Sequence, residues 1–165
     1  MEKNNLSRMV AQFNHLEKEE RISAMSKAIG GFVKYSGYSG VVYEKMTSEE
    51  VIVSLPNKDE VQNHIGQLHA TAMILLAETA TGMVVGMNVP DDRIMLVKSL
   101  HTDFVWRSTG AMQAKATLSK EQIDYILSTE KGELIVPVLV TDETGAEPIK
   151  VEALWAWIPK KKLSA

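Results

Sequence analysis

Cysteine is absent from the 165 residues. That excludes disulfides, thiolate metal sites and a cysteine nucleophile together. Charge of one sign is also missing: 18 Lys and Arg stand against 21 Asp and Glu, a formal net charge of -3. So small and evenly mixed a charge offers no field for a phosphate backbone, and nucleic acid is excluded as a partner. The one like-charge run, Lys160-Lys161-Lys162, reads as a solvated basic tail. The first segment, MEKNNLSRMVAQFNHLEKEER, is charged and holds no continuous apolar stretch of signal-peptide or membrane-span type. That places the protein in the cytoplasm, with no membrane partner. Internal repeats and low-complexity tracts are lacking too, which excludes a solenoid or a disordered linker.

What is present is enough apolar sequence, 45% of the residues, to bury one core. The length suits one domain. Leu6, Met9, Val10, Phe13 and Leu16 recur at helical spacing, with Asn4 or Asn5 available as a cap. A second helix follows, with Ile22, Met25, Ile29 and Phe32 on one face, and the glycines at 30, 31, 37 and 40 mark where regular helix fails. These two helices, residues 1–36, read as a cover. Residues 41–158 read as the core and 159–165 as the tail. Val41 to Leu55 predicts a hairpin around Thr-Ser-Glu-Glu, ended by Pro56 and Asn57.

Residues 68 to about 85 are apolar almost all the way round, which predicts a core helix covered on every side. Next comes a long β-prone run, RIMLVKSLHTDFVWR, with Leu96, Leu100, Phe104 and Trp106 on one parity. The run AMQAKATL alternates as a half-buried antiparallel strand. Ser119 and Gln122 fit a capping box for a short helix closed by Gly132. Two further β-runs, ELIVPVLVTD and PIKVEALWAWIP, complete the chain, and Pro137 argues for an edge or a bulge in the first. Antiparallel strands with one buried helix make an α+β arrangement, a sheet wrapped around one long helix with extra N-terminal helices. Such a sheet leaves an edge that a partner subunit commonly covers.

Chemistry gathers in NHIGQLHATAMILLAETATG, Asn63 to Gly82. An ionised group in a covered helix is costly, so Glu78 stands out. On a helical register Thr71, Ile74 or Leu75, Glu78 and Gly82 share a face. If that face meets a cleft, desolvation should raise the Glu78 pKa, as suits a general base. At the helix start, backbone N–H groups near His69, Ala70 and Thr71 lack intrahelical acceptors and can stabilise a developing oxyanion. The small residues there admit a substrate carbonyl.

This segment resembles the hotdog thioesterases of the phenylacetate-pathway type, which carry an asparagine, a histidine followed by two glycines at a helix start, and then an acidic residue along the helix. Asn63, His69, the pair Ala70 and Thr71, and Glu78 occupy those places, with Ala and Thr standing where the family has glycines. It is also similar to a branch of that superfamily with the pattern Asn-His-x-Gly…His-Ala…Ala-Glu…Gly, matched by Asn63, His64, Gly66, His69, Ala70, Ala77, Glu78 and Gly82. The resemblance implies a hotdog fold and hydrolysis of an acyl-CoA or similar thioester at the interface of a homodimer or a dimer of dimers. Glu78 would be general base or nucleophile, Ala70 the oxyanion donor and Asn63 the residue orienting carbonyl or water. His69 would hold the loop to the helix start, and Thr71, Gly66, Gly82 and His64 would lie around the substrate. Coenzyme A enters as part of the substrate, and neither a separate cofactor nor a metal is implied.

Plainer readings stand beside these. Glu78 alone could be a structural carboxylate, and His64 a solvated loop residue. Two histidines five apart with one glutamate make a thin metal site. His15 and His101 suggest no partners. Thr79 and Thr81 are expected to bond back to helix carbonyls, and Trp106, Trp155 and Trp157 to pack within the strands. Met73, Met83 and Met87 read as core filler. One rival is a dehydratase on the same fold using His64 and Glu78, although the proline and glycine that such enzymes carry between those residues are missing. The other is a non-catalytic acyl-CoA-binding or structural dimer, favoured by the replacement of the glycine pair.

Overall fold

Residues 4–161 are described in a computed structural model, so that residues 162–165 of the basic tail, Lys162 among them, lie outside the described residues. The long apolar segment folds as α4, Ala70–Gly86, with Leu76, Ala77, Ala80, Val84 and Val85 fully buried. Fully burying a side chain such as Leu76 or Val84 contributes about 1.5–3 kcal/mol. The helix packs on strands β2 (Glu50–Leu55), β4 (Met112–Thr117) and β7 (Ile149–Pro159). The remaining elements are α1 (Asn5–Ala11), α2 (Lys18–Phe32), α3 (Lys34–Tyr38), β1 (Val42–Met46), β3 (Arg93–Phe104), α5 (Lys120–Ser128), β5 (Gly132–Val136) and β6 (Val138–Asp142).

Every strand pairing is antiparallel, in the orders β1-β2-β4-β6 and β3-β7-β5. Pro137 separates β5 from β6. Proline has no N–H to give a ladder, and here the chain leaves one sheet for the other, so β5 pairs with β7 while β6 pairs with β4. The two sheets therefore follow one another around α4 as a single bent wrapping, with β1 and β3 as its outer strands. β1 is covered by α2, whose Ser26 hydroxyl accepts from the Tyr43 N–H at 2.9 Å. Among the described residues the outer edge of β3 carries no strand.

Several expectations change in detail. The helix α4 is not closed on every side: Ala70 and Thr71 are exposed, and Ile74, Leu75 and Glu78 half-buried. That open stripe is the face predicted to carry chemistry. Gly30 and Gly31 lie inside α2, and Gly30 lets α2 meet α3: a Cβ there would be 2.9 Å from the Gly37 Cα. Gly132 does not close α5, which ends at Ser128; it begins β5, where Trp157 and Tyr125 leave no room for a side chain. The capping box of Ser119 and Gln122 is present.

The parity expected of β3 fails for a physical reason. A bulge between Val97 and Ser99 inserts an extra residue against β7, which moves all later side chains to the other face. Leu100 is half-buried while Leu96 is 50% exposed. Phe104 and Trp106, read as strand packing, are exposed, whereas Trp155 and Trp157 are buried. Phe32, read as a core-facing residue of α2, is also exposed. At the far end Lys160 is exposed, as expected, and is also tethered, with its N–H on the Asp92 carbonyl and Nζ on the Asp91 carbonyl.

Candidate active site

The start of α4 is built by a short loop. The Asn63 side-chain oxygen accepts from the N–H groups of Ile65 (3.0 Å) and Gln67 (3.2 Å), and the Asn63 N–H donates to the Gln67 carbonyl. Gly66 takes φ +73° in this turn, a conformation that L side chains rarely adopt. Asn63 is thus a turn former whose Nδ2 donates to no acceptor among the described residues. His64, at the turn's tip, is exposed and makes no side-chain hydrogen bond there.

His69 fastens this loop to the helix. Its N–H donates to the Val61 carbonyl at 2.8 Å, and as N-cap its Nδ1 accepts from the Thr71 N–H at 3.2 Å. The acceptor role of Nδ1 puts a ring proton on Nε2. Thr71 Oγ1 lies 2.8 Å from the same nitrogen. The Ala72 and Met73 N–H groups donate to the His69 carbonyl. Of the amides that begin the helix, this leaves the N–H of Ala70, an exposed residue, without an acceptor among the described residues, at the positive end of the helix dipole.

Glu78 is half-buried, and no hydrogen bond or ion pair reaches its carboxylate among the described residues. Burial raises its pKa above the ordinary carboxylate value. Within electrostatic reach of Glu78 is Tyr43 of β1, wholly buried, whose hydroxyl lies 2.8 Å from Ser36 Oγ on α3. The Tyr43 phenol is itself pushed up by burial, partly offset by the Ser36 bond, and pushed further by the Glu78 charge. Nothing in the sequence pattern marks Tyr43, which alternates into the core like its neighbours.

The backbone around Glu78 is fixed from β7. Trp155 Nε1 donates to Thr81 Oγ1 at 2.9 Å, and Thr81 donates back to the carbonyls of Ala77 and Glu78. The expected back-bonding is therefore made by Thr81, with a cross-link to the sheet that sequence reasoning missed. Gly82 lies under the same indole: a Cβ there would be 2.7 Å from Trp155. At 1.5 Å rise per residue, the free Ala70 N–H and the Glu78 backbone are about 12 Å apart along the helix.

The family model for a domain of unknown function, DUF4442, matches residues 22–158. No curated protein matches the sequence. Among solved structures, a Pseudomonas aeruginosa protein described as of unknown function and "probable thioesterase" is 22% identical. The match covers 84% of this chain and 96% of that one, with a TM-score of 0.73. A Haemophilus influenzae thioesterase is 12% identical over 79% of this chain and 87% of that one, with a TM-score of 0.64. A Staphylococcus aureus thioesterase, 17% identical over 76% of this chain and 99% of that one, was solved with a glutamate-to-alanine exchange and with a glutamine-to-alanine exchange, with TM-scores of 0.66 and 0.64. These likenesses establish the hotdog fold.

Proposed function

The chain belongs to the DUF4442 family, and from that premise we propose that it is a thioesterase hydrolysing an acyl-CoA thioester, with Glu78 as general base or nucleophile in a cleft between two copies of the chain. The observation that carries this reading is the pairing, on one open stripe of α4, of an acceptor-less amide at Ala70 with a half-buried, unpaired carboxylate at Glu78. An amide at a helix start polarises a thioester carbonyl and holds the oxyanion that forms. A carboxylate of raised pKa takes a proton from water as the water oxygen bonds to the carbonyl carbon. When the intermediate collapses, the carbon–sulfur bond breaks and the proton passes from Glu78 to the departing thiolate. In the nucleophilic variant a Glu78 oxygen bonds to the carbonyl carbon and the carbon–sulfur bond breaks, releasing the thiolate and leaving an acyl anhydride, which water opens to the free acid and the Glu78 carboxylate.

The spacing supports the second copy. The Ala70 amide and the Glu78 backbone are about 12 Å apart along one helix, farther than a Glu78 carboxylate acting as nucleophile can reach toward a carbonyl held by the Ala70 amide of its own chain. Two antiparallel α4 helices would set the Ala70 of one chain against the Glu78 of the other. The unpaired edge of β3, 12 residues long and bearing exposed Ile94, Leu96 and Val97, is the surface through which such copies would join. Asn63, with Nδ2 free, would serve the carbonyl or the water. The residues exchanged in the Staphylococcus aureus enzyme are a glutamine and a glutamate fifteen positions apart, the same separation as Asn63 and Glu78.

One observation favours the non-catalytic reading: the Thr71 N–H is spent on His69, so a single amide remains for the oxyanion. Thiol release from short, medium, long and aryl acyl-CoA esters separates the two. Glu78→Gln should lose on the order of a hundredfold or more of the rate. Saturable binding with no turnover across the panel would leave the binding protein standing and the hydrolase refuted.

A further inference from the structure

Away from Glu78, the loop after β3 displays an indole that the fold does not use. Trp106 is 73% exposed, an unusual state for so large an apolar ring. Its backbone is nonetheless pinned, since the N–H groups of Val105 and Trp106 both donate to the Pro148 carbonyl, at 2.9 and 3.2 Å. Val105 and Trp106 line one side of a surface pocket of about 440 Å³ whose other walls are Gly145, Ala146, Glu147 and Lys150. That opposite wall is also fixed: Asp142 Oδ1 accepts from the N–H groups of Thr144 and Ala146, and Asp142 Oδ2 accepts from the Thr109 N–H. Gly145 holds φ +80° with nothing near its missing side chain, so a ligand can approach the backbone there.

The wall residues form a chemical set. An exposed indole on a pinned backbone offers a stacking surface to a planar base. Lys150 is exposed and makes no ion pair among the described residues, and Arg107 beside Trp106 is exposed as well. Lys150, which lines the pocket, suits a phosphate, and Arg107 stands outside the lining. The Glu147 carboxylate suits an exocyclic amine, and it makes a bare inorganic anion a poor occupant. Aromatic face, cation and acceptor together describe an aminopurine nucleotide.

The position is consistent with the reacting centre. Met95 packs against Gly82 and Gly86, so β3 begins beside the C-terminal half of α4 and runs back toward its start. At about 3.3 Å per residue the strand carries Trp106 beyond the N-terminal end of the helix, the end that holds the free Ala70 amide. The geometry points to the pocket of Trp106, Glu147 and Lys150 as the seat of the adenine nucleotide end of the coenzyme A carrier. This inference rests on the thioesterase reading for the identity of the carrier.

Calorimetric titration of the full chain with free coenzyme A, and with adenosine bisphosphate as its nucleotide half, tests it. Both should bind. Trp106→Ala should weaken both on the order of tenfold, while Trp106→Phe keeps most of the affinity. Lys150→Ala should cost affinity at low salt and little at high salt. Equal affinities for Trp106→Ala and the unchanged chain, no binding of either probe, or a changed sedimentation mass for Trp106→Ala would each overturn the assignment. The last outcome would make Trp106 a subunit contact. Thiol release by the unchanged chain and by Trp106→Ala keeps the two claims apart: Trp106-dependent binding without thiol release by the unchanged chain sinks hydrolysis alone, and thiol release whose KM is indifferent to Trp106→Ala sinks the nucleotide pocket alone.

Discussion

Glu78 illustrates how far one side chain's surroundings set its behaviour. Its pKa is raised, and burial is the cause, with neither a cation nor a hydrogen-bond donor to oppose it among the described residues. Two consequences have opposite sign. The base form is needed for catalysis, so thiol release should climb with pH through the raised pKa and then level off. Stability runs the other way. A carboxyl group whose folded pKa lies above its unfolded value holds an extra proton in the folded state, so stability is greatest in acid and is lost as pH rises through the folded pKa. Glu78→Gln, neutral at every pH, should therefore melt at a higher temperature than the unchanged chain near pH 8. That gain should shrink toward zero below about pH 4. Melting curves across this range check the sign, and a gain that grows on acidification would refute the burial argument.

A helix and a sheet meet at a fixed distance, and Gly82 shows what sets it between α4 and β7. On an isolated helix, replacing glycine by alanine stabilises by about 1 kcal/mol. Here the new methyl carbon would lie 2.7 Å from the Trp155 ring, whose Nε1 is tied to Thr81. Overpacking of that kind costs about 1–3 kcal/mol. The ring cannot retreat without losing a buried hydrogen bond, worth about another 1 kcal/mol. Gly82→Ala should accordingly lower the denaturant midpoint despite the better helix propensity, with a stabilised variant as the contrary result. The bulge in β3 is a second case at this scale. One extra residue sends Leu96 outward and turns Leu100 inward, and periodicity taken over the whole run cannot detect it, because each half alternates correctly. The capping box at Ser119 and Gln122, by contrast, was legible, since its four residues contain every partner of both hydrogen bonds.

For the molecule as a whole, the composite site proposed above has a consequence that neither half shares. Proline is tolerated at the first helical position and removes its N–H, so Ala70→Pro should abolish thiol release and leave the helix in place. Mixed with Glu78→Gln under conditions that exchange subunits, the two inactive chains should recover about a quarter of the activity, because half the dimers are mixed and each has one complete site. No recovery, with exchange verified by mass, would refute a site shared between chains and leave the Ala70 amide and the Glu78 carboxylate acting within one chain or not together. The sequence by itself determined the single core helix, its antiparallel wrapping, and the residues from Asn63 to Glu78 as the stretch to watch, because helix caps, alternation and an ionisable group among apolar ones are local signals. It also marked Pro137 as a disturbance in its strand. Only the tertiary structure decided that Pro137 is a corner between sheets, that Ala70 is the amide left over once His69 has taken that of Thr71, that Tyr43 lies within electrostatic reach of Glu78, and that Trp106 stands in water. Each of these depends on which distant backbone lies alongside, and that is fixed by packing of the whole chain.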